Sequence, residues 1–177
     1  GGVFMKNTRV IIFMGLFITL QIILTRFLSI QTPIVRIGFS FLPLVLSSII
    51  YGPIISGIGA AVADFIGVML FPIGGAYFPG FSISAFLTGA IYGLLLYKKP
   101  KSITRISISV ILVSLLIESI LNTYWLRILT GKAFLAILPV RLTKILIMIP
   151  IQIILIKIIW EYIDNYIKSE IDNRRLL

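Results

Sequence analysis

Long apolar runs separated by short polar or turn-forming segments dominate this chain. Six runs can be marked, at residues 9–28, 34–51, 53–70, 82–97, 106–129 and 139–162. Because an α-helix rises ~1.5 Å per residue, about 20 apolar residues cross a hydrocarbon core that is ~30 Å thick. The pattern therefore predicts an all-α integral membrane protein, with six transmembrane helices in a compact bundle.

Turn signals and small residues predict how neighbouring helices pack. Gly52 followed by Pro53 ends one helix and starts the next, which favours a close antiparallel hairpin of the second and third helices. Small residues four apart, such as Gly57 with Ala61 and Gly89 with Gly93, allow close backbone approach in lipid. We expect these positions of the third and fourth helices to pack inside the bundle.

Composition agrees with one membrane domain. Hydrophobic residues make up 59% of the 177 positions, above the ~45–50% that is usual in soluble domains. Residues 1–4 precede Met5 and are interpreted as extraneous, so that the domain covers residues 5–177. The first apolar run is too long for the core of a signal peptide, and we expect it to stay as a spanning helix.

The net charge of +10 fits membrane topology better than nucleic-acid binding, because the cations flank apolar runs. Six crossings place both termini on one side, and the positive-inside rule makes the side with more cations cytoplasmic. That side carries Lys6, Arg9, Lys98, Lys99, Lys101, Arg105, Lys157, Lys168, Arg174 and Arg175. The other side carries Arg26, Arg36, Arg127, Lys132, Arg141 and Lys144. Usage rich in Ile and Lys suits a bacterial plasma membrane.

Two acids, Asp64 and Glu118, lie inside apolar runs. A charge at mid-bilayer depth costs roughly 2.5–3.5 kcal/mol, so such groups normally face a cavity or a partner. We expect a ligand pocket open to the extracellular side, with Arg26 and Arg141 as candidates to hold carboxylates of the ligand. Lys144 could join them, although contact with lipid headgroups is the alternative that we favour for Lys132 and Lys144.

The segment at residues 71–81 holds two prolines, three glycines and four aromatic residues, which disfavour a regular helix. Irregular backbone near membrane depth must be buried in protein or line a cavity. We interpret the segment as a lid, with Tyr77, Phe78 and Phe81 as stacking surfaces for a flat ligand. An aromatic belt at the membrane interface is the alternative.

Near the end of the fifth run, Asn122 lies one helical turn from Glu118, so both side chains could meet a heteroaromatic edge. Trp125 could pack beside the same ligand. The alternative is that Trp125 anchors the helix at the interface while Asn122 caps a helix end.

The chain contains no Cys and no His, and only two acids lie well inside the apolar runs, because Glu161 stands at the end of the last run, near the cytoplasmic tail. An enzyme of the membrane interior, acting on a lipid-like substrate, would need a metal cluster or a tuned acid/base pair. We therefore expect no catalytic residues, no metal site and no cofactor in this chain, and keep the enzyme only as an alternative. No GxxxxGK[ST] motif occurs, so the chain cannot hydrolyse ATP by that route.

Several segments together resemble one family. They are TRFLSIQTP at residues 25–33, YGP at 51–53, Ala63-Asp64, YFPGFSISAFLTGAIYGLLLY at 77–97 and LNTYWL at 121–126. In this order they are similar to the folate-specific substrate-binding (S) components of energy-coupling-factor (ECF) vitamin transporters. S components for thiamine or riboflavin are the alternative within the same class.

The resemblance implies a six-helix protein that captures folate outside the cell and then docks to a transmembrane coupling subunit with two ATPase subunits. ATP would be used by those partners. The family docks through small residues four apart on the first helix, usually two alanines. Gly15 and Thr19 occupy these positions here and keep the side chains small. The resemblance also implies that the aromatic loop and the loop between the first two helices gate the pocket.

Overall fold

The computed structural model describes residues 2–31, 35–72 and 76–175, and its side chains are described for 8–30, 35–72 and 76–166. Six helices lie within these ranges. They are α1 (Gly2–Arg26), α2 (Phe41–Tyr51), α3 (Pro53–Leu70), α4 (Pro79–Leu96), α5 (Ile103–Thr130) and α6 (Phe134–Arg175). All of them except α2 contain an apolar stretch long enough to cross a membrane. The multi-helical architecture is as predicted, and the number of crossings stays a prediction.

The second helix is shorter than predicted. α2 has 11 residues and spans roughly 16 Å at ~1.5 Å per residue, because the chain before it is not helical in the described part. Instead, β1 (Ile30–Gln31) pairs antiparallel with β2 (Arg36–Ile37), so that Ile30 lies opposite Ile37. The prediction that the second helix begins at residue 34 was therefore wrong over residues 35–40.

The hairpin of α2 and α3 is confirmed. Gly52 alone connects the two helices, and its φ of +91° is a conformation that favours glycine. Pro53 then occupies the first turn of α3, where its missing N–H costs no hydrogen bond.

Small residues bring α3 and α4 together, as predicted. A Cβ added to Gly89 would lie 2.9 Å from the backbone of Gly57, and one added to Gly93 would lie 2.4 Å from Pro53. Beside this contact, Ser56 bonds to Ser47 and Ser48 of α2, with oxygen separations of 3.0 and 2.6 Å. These buried hydroxyl groups are paired with one another through hydrogen bonds, which link α2 to α3.

Helix α5 is not uniformly α-helical. Its central segment Val113–Leu121 is a π-helix, flanked by α-helical Ile103–Leu112 and Asn122–Thr130. π-Helical segments are rare and occur often at functional sites. Glu118 lies within this one.

Helix α6 begins earlier than predicted, at Phe134 rather than Pro139, and continues to Arg175. The connection from α5 is short. Gly131 caps the end of α5 in a left-handed conformation with φ of +70°, and α6 begins three residues later. Pro139 and Pro150 therefore lie inside α6.

The two ends of the bundle differ in chemistry. We call the end where α1 finishes and α4 begins the cavity end. At the opposite end, Lys101 of the α4–α5 connection lies over the ring of Trp160, 5.2 Å from its centroid. Burial there lowers the pKa of Lys101, and nearby Asp164 acts against this shift.

Candidate ligand-binding site

A cavity of about 600 Å³ lies at the cavity end, and all six helices contribute residues to its lining. This volume falls within the ~300–1,000 Å³ of pockets that enclose small organic ligands. The residues predicted from sequence that line it are Arg26, Asp64, Tyr77, Phe78, Phe81, Glu118, Asn122 and Arg141. Residues from four apolar runs and from the aromatic segment at residues 71–81 thus converge on one chamber.

One wall combines a carboxylate with hydroxyl groups. Asp64 of α3 accepts a hydrogen bond from the Ser82 hydroxyl of α4 at 2.9 Å, and the Tyr77 hydroxyl lies 2.8 Å from the same Ser82 oxygen. The ring of Tyr77 packs edge-on against Phe65, with centroids 5.1 Å apart. These contacts orient the carboxylate of Asp64 next to Tyr77 of the aromatic segment.

Another part of the lining holds a cluster of ion pairs. Oε2 of Glu118 lies 3.3 Å from Nη2 of Arg141 and 3.6 Å from Nζ of Lys144. Arg141 also donates from Nη2 to the backbone carbonyl of Glu118, at 3.2 Å, and from Nε to the hydroxyl of Thr123, also at 3.2 Å. Arg141 therefore joins α6 to both the backbone and the side chain of the π-helical segment.

Two more arginines approach from the α1 side. Arg26 is buried at the end of α1, and its side chain passes over Gly67 of α3. A Cβ added to Gly67 would lie 3.4 Å from Nε of Arg26. Arg36 of β2 lines the cavity beside it. Burial, together with the positive charge of Arg26, lowers the pKa of Arg36 to about 10, so Arg36 stays protonated at neutral pH.

Three buried polar atoms on the lining have no hydrogen-bond partner within the described part of the chain. They are Nε2 of Gln21, Nε of Arg36 and Oδ1 of Asn122. Leaving a buried polar group unpaired costs about 1–3 kcal/mol. Two donors and an acceptor are therefore available to a polar ligand or to water.

Trp125 does not belong to the described lining and lies behind it. Its ring packs against Phe78 with centroids 5.7 Å apart, and its Nε1 donates to the hydroxyl of Ser84 at 2.9 Å. A Cβ on Gly80 would come within 2.6 Å of the indole, so this contact requires glycine there. The structure places Trp125 as a support for Phe78.

The aromatic segment is only partly described. Residues 73–75 lie outside the described ranges, while Tyr77 precedes α4, Phe78 is extended and Phe81 already belongs to α4. The rings of Phe78 and Phe81 are 5.9 Å apart and edge-to-face. Their placement on the lining agrees with the stacking surface that we predicted, and the lid function stays a prediction.

Gly15 and Thr19 lie away from the cavity on an exposed face of α1. The hydroxyl of Thr19 donates to the carbonyl of Gly15 at 2.8 Å, and a Cβ on Gly15 would meet no atom within 4 Å. The face is therefore flat and is not used in packing within the described bundle.

Among the lining residues that sequence reasoning did not assign to the site, three carry an ion pair or an unpaired polar atom. Lys144 was expected at the headgroups, and this was wrong because Glu118 holds its ammonium group inside the cavity. Arg36 was treated only as a cation of one membrane side. Gln21 carried a usable signal, as an amide in the middle of an otherwise apolar run.

The groups on the lining are suited to binding an organic ligand. Within the described ranges, no three His, Cys, Asp or Glu side chains come together as a metal site would need. The cavity instead offers aromatic faces, a carboxylate with hydroxyls on one wall, and cations on both sides. Such a set can hold a flat heteroaromatic compound that carries negative charge.

Comparison with known proteins identifies the family. The family model for the substrate-specific component of ECF transporters matches residues 9–160. The chain belongs to this family. It is therefore a multi-pass membrane transport protein and not an enzyme, as the resemblance in the sequence implied.

Individual relatives agree with this assignment. Folate transporter FolT of Clostridium novyi (strain NT) is 48% identical over 161 residues, which cover 91% of this chain and 93% of that protein. Folate transporter FolT of Leuconostoc mesenteroides is 35% identical over 153 residues, covering 83% and 82%. A solved structure, the crystal structure of FolT bound with folic acid, matches with a TM-score of 0.81 and 41% identity over 85% of this chain and 91% of that one.

Proposed function

We propose that this chain is the folate-binding component of an ATP-driven vitamin importer. One observation carries the proposal: a cavity of about 600 Å³ combines aromatic faces, an oriented carboxylate and four cations, in a chain 41% identical to a FolT that is bound to folic acid in its crystal structure. Folate has a flat pterin ring, an aromatic middle part and a glutamate tail with two carboxylates. Each part has matching chemistry on the lining.

Asp64 is the better of the two acids for the pterin. Adjacent N–H donors on a pterin edge pair well with a carboxylate, and Asp64 is held in place by Ser82 beside the aromatic segment. Glu118 instead faces Arg141 and Lys144. The pterin therefore stacks near Tyr77, Phe78 and Phe81, while Asn122 offers its unpaired oxygen to a further N–H.

The glutamate tail is held by the cations. Arg36 has an unpaired Nε on the lining, and Arg141 and Lys144 lie on another part of it. Arginine pairs with carboxylates through two parallel hydrogen bonds. This charge pattern disfavours thiamine, which is cationic, and gives no advantage to riboflavin, which is uncharged.

The cavity faces the outside of a bacterial plasma membrane, and both termini lie in the cytoplasm. The charge distribution along the sequence supports this orientation, since the side assigned to the cytoplasm carries ten cations and the other side six. The exposed apolar helices contact lipid, and snorkelling cations such as Lys132 contact headgroups.

Transport itself depends on partners. The chain needs no cofactor of its own, and ATP is hydrolysed by two ATPase subunits joined to a transmembrane coupling subunit. The flat face at Gly15 and Thr19 is the docking surface for that coupling subunit, because small exposed residues let a second helix approach closely. Folate bound from outside is delivered after docking.

Tryptophan fluorescence in detergent tests the ligand. Folate should quench the emission of the purified protein at a one-to-one ratio, whereas thiamine and riboflavin should not compete. Trp125 supports the cavity through Phe78, and Trp160 lies at the other end. Trp160→Phe should therefore retain most of the quenching, and Trp125→Phe should lose it. Equal quenching by thiamine, or none by folate, would contradict the proposal.

A further inference from the structure

The ionisable groups of the cavity form two sets of the same composition. The first set is Arg26, Arg36 and Asp64, from α1, β2 and α3. The second set is Arg141, Lys144 and Glu118, from α6 and α5. Each set has two cations and one carboxylate, so four cations less two carboxylates leave a net charge of +2 on the lining.

Glu118 is the residue that limits the charge of the second set. Its Oε2 lies 3.3 Å from Arg141 and 3.6 Å from Lys144, whose side chains are only 7% and 16% exposed. At these distances the carboxylate compensates one of the two cations and leaves the other for a ligand. Without Glu118, two nearly buried cations of α6 would face the cavity together.

Uncompensated charge inside a membrane protein is unfavourable, because the surrounding dielectric is low. A ligand that carries two negative charges neutralises the lining. A ligand with one negative charge leaves the occupied cavity with a net charge of +1, and a ligand with three leaves it with −1. The second charged set would attract a further carboxylate if Glu118 were neutral. Charge, as well as shape, can therefore discriminate between ligands here.

We propose that Glu118 is a specificity-determining residue, which sets the net charge of the cavity to +2 and so selects doubly anionic ligands. The proposal rests on the proposed function and assigns Glu118 a task other than contact with the pterin. It predicts that the preference for a dianion changes when Glu118 or its partner Lys144 is neutralised, even where the shape of the ligand is constant.

A matched pair of ligands isolates charge from shape. Folate and its γ-carboxamide have nearly the same shape, but the amide carries one negative charge less. The measured quantity is the ratio of the Kd of the amide to the Kd of folate, by calorimetry on the purified full chain. One unit charge at roughly 10 Å changes this ratio about tenfold when the effective dielectric constant is ~20.

Four variants make the test quantitative. Glu118→Gln raises the net charge of the lining to +3 and should raise the ratio about tenfold. It keeps an acceptor for Arg141. Lys144→Gln lowers the net charge to +1 and should lower the ratio by a similar factor. The double variant Glu118→Gln/Lys144→Gln restores +2 and should return the ratio to the wild-type value. Glu161→Gln is the control, because Glu161 pairs with Lys157 away from the lining.

The outcomes separate this inference from the proposed function. If the wild-type chain binds folate but the ratio is the same in all variants, the charge-setting role of Glu118 is overturned and folate binding stands. If the wild-type chain does not bind folate, the proposed function fails and this inference fails with it. If Glu118→Gln does not fold, Lys144→Gln still decides the question, since an unchanged ratio in that variant overturns the inference.

Discussion

Arg141 holds Glu118 at two points: Nη2 of the guanidinium lies 3.3 Å from the carboxylate Oε2 and 3.2 Å from the backbone carbonyl of the same residue. The carbonyl belongs to a π-helical segment, whose hydrogen bonds differ from those of the α-helix around it. The contact therefore links the charge of the cavity to the shape of α5. It also explains how a guanidinium is stable inside the bundle.

Replacing Arg141 tests this link through stability. Arg141→Met should lower the free energy of unfolding by about 3 kcal/mol, since it leaves Glu118 with Lys144 alone and removes the bond to Thr123. Thermal unfolding in detergent measures the change. Arg127→Met is the matched control, because Arg127 is exposed in the last turn of α5. Equal melting temperatures for the two variants would show that the contact contributes little.

Asp64→Asn tests the role of the carboxylate in binding. A hydrogen bond to a charged group contributes about 1.5–3 kcal/mol, so folate affinity should fall roughly 10- to 100-fold. Calorimetric titration gives the Kd, and Ser82→Ala should cause a smaller loss because it removes only the bond that orients Asp64. Unchanged affinity in Asp64→Asn would place the pterin elsewhere.

Close packing of α3 and α4 yields a prediction about stability alone. A Cβ on Gly93 would come within 2.4 Å of Pro53, so Gly93→Ala should cost about 1–3 kcal/mol of stability through overpacking. Gly15→Ala is the control on another helix, where the same Cβ meets nothing within 4 Å. Thermal unfolding of both variants checks this, and a similar loss in both would contradict the described packing.

The docking role of α1 is tested by separating binding from transport. Gly15→Leu and Thr19→Leu should leave folate binding by the isolated protein unchanged, yet reduce uptake in cells that carry the other subunits. Leu146→Phe enlarges an exposed position on α6 and serves as the control. Normal uptake with both α1 positions enlarged would argue against docking at this face.

Much of the fold follows from the order of apolar runs, but two elements do not. The residues before α2 are apolar enough to extend a helix, yet the chain pairs Ile30 with Ile37 instead. Gly38 allows this close return, because a Cβ there would lie 2.9 Å from Ser29. The π-helical segment has no sequence signature, since its geometry depends on contacts such as that of Arg141.

The site was predictable where a charged residue is costly in lipid, as for Asp64, Glu118 and Arg26. Prediction failed where the partner decides the position of a side chain. Lys144 could have reached the headgroups, but Glu118 at 3.6 Å holds it inside. Ser84 and Phe78 hold the ring of Trp125 next to the lining, and its contact with a ligand stays a prediction.

Native mass spectrometry tests the central claim, that this cavity holds folate, most directly. The purified chain is incubated with equal amounts of folate, thiamine and riboflavin and sprayed from detergent micelles. We predict a single adduct with the mass of one folate, which is lost when the protein is unfolded and weakened in Asp64→Asn. A protein that stays without an adduct, or that selects thiamine or riboflavin from the mixture, would contradict the account.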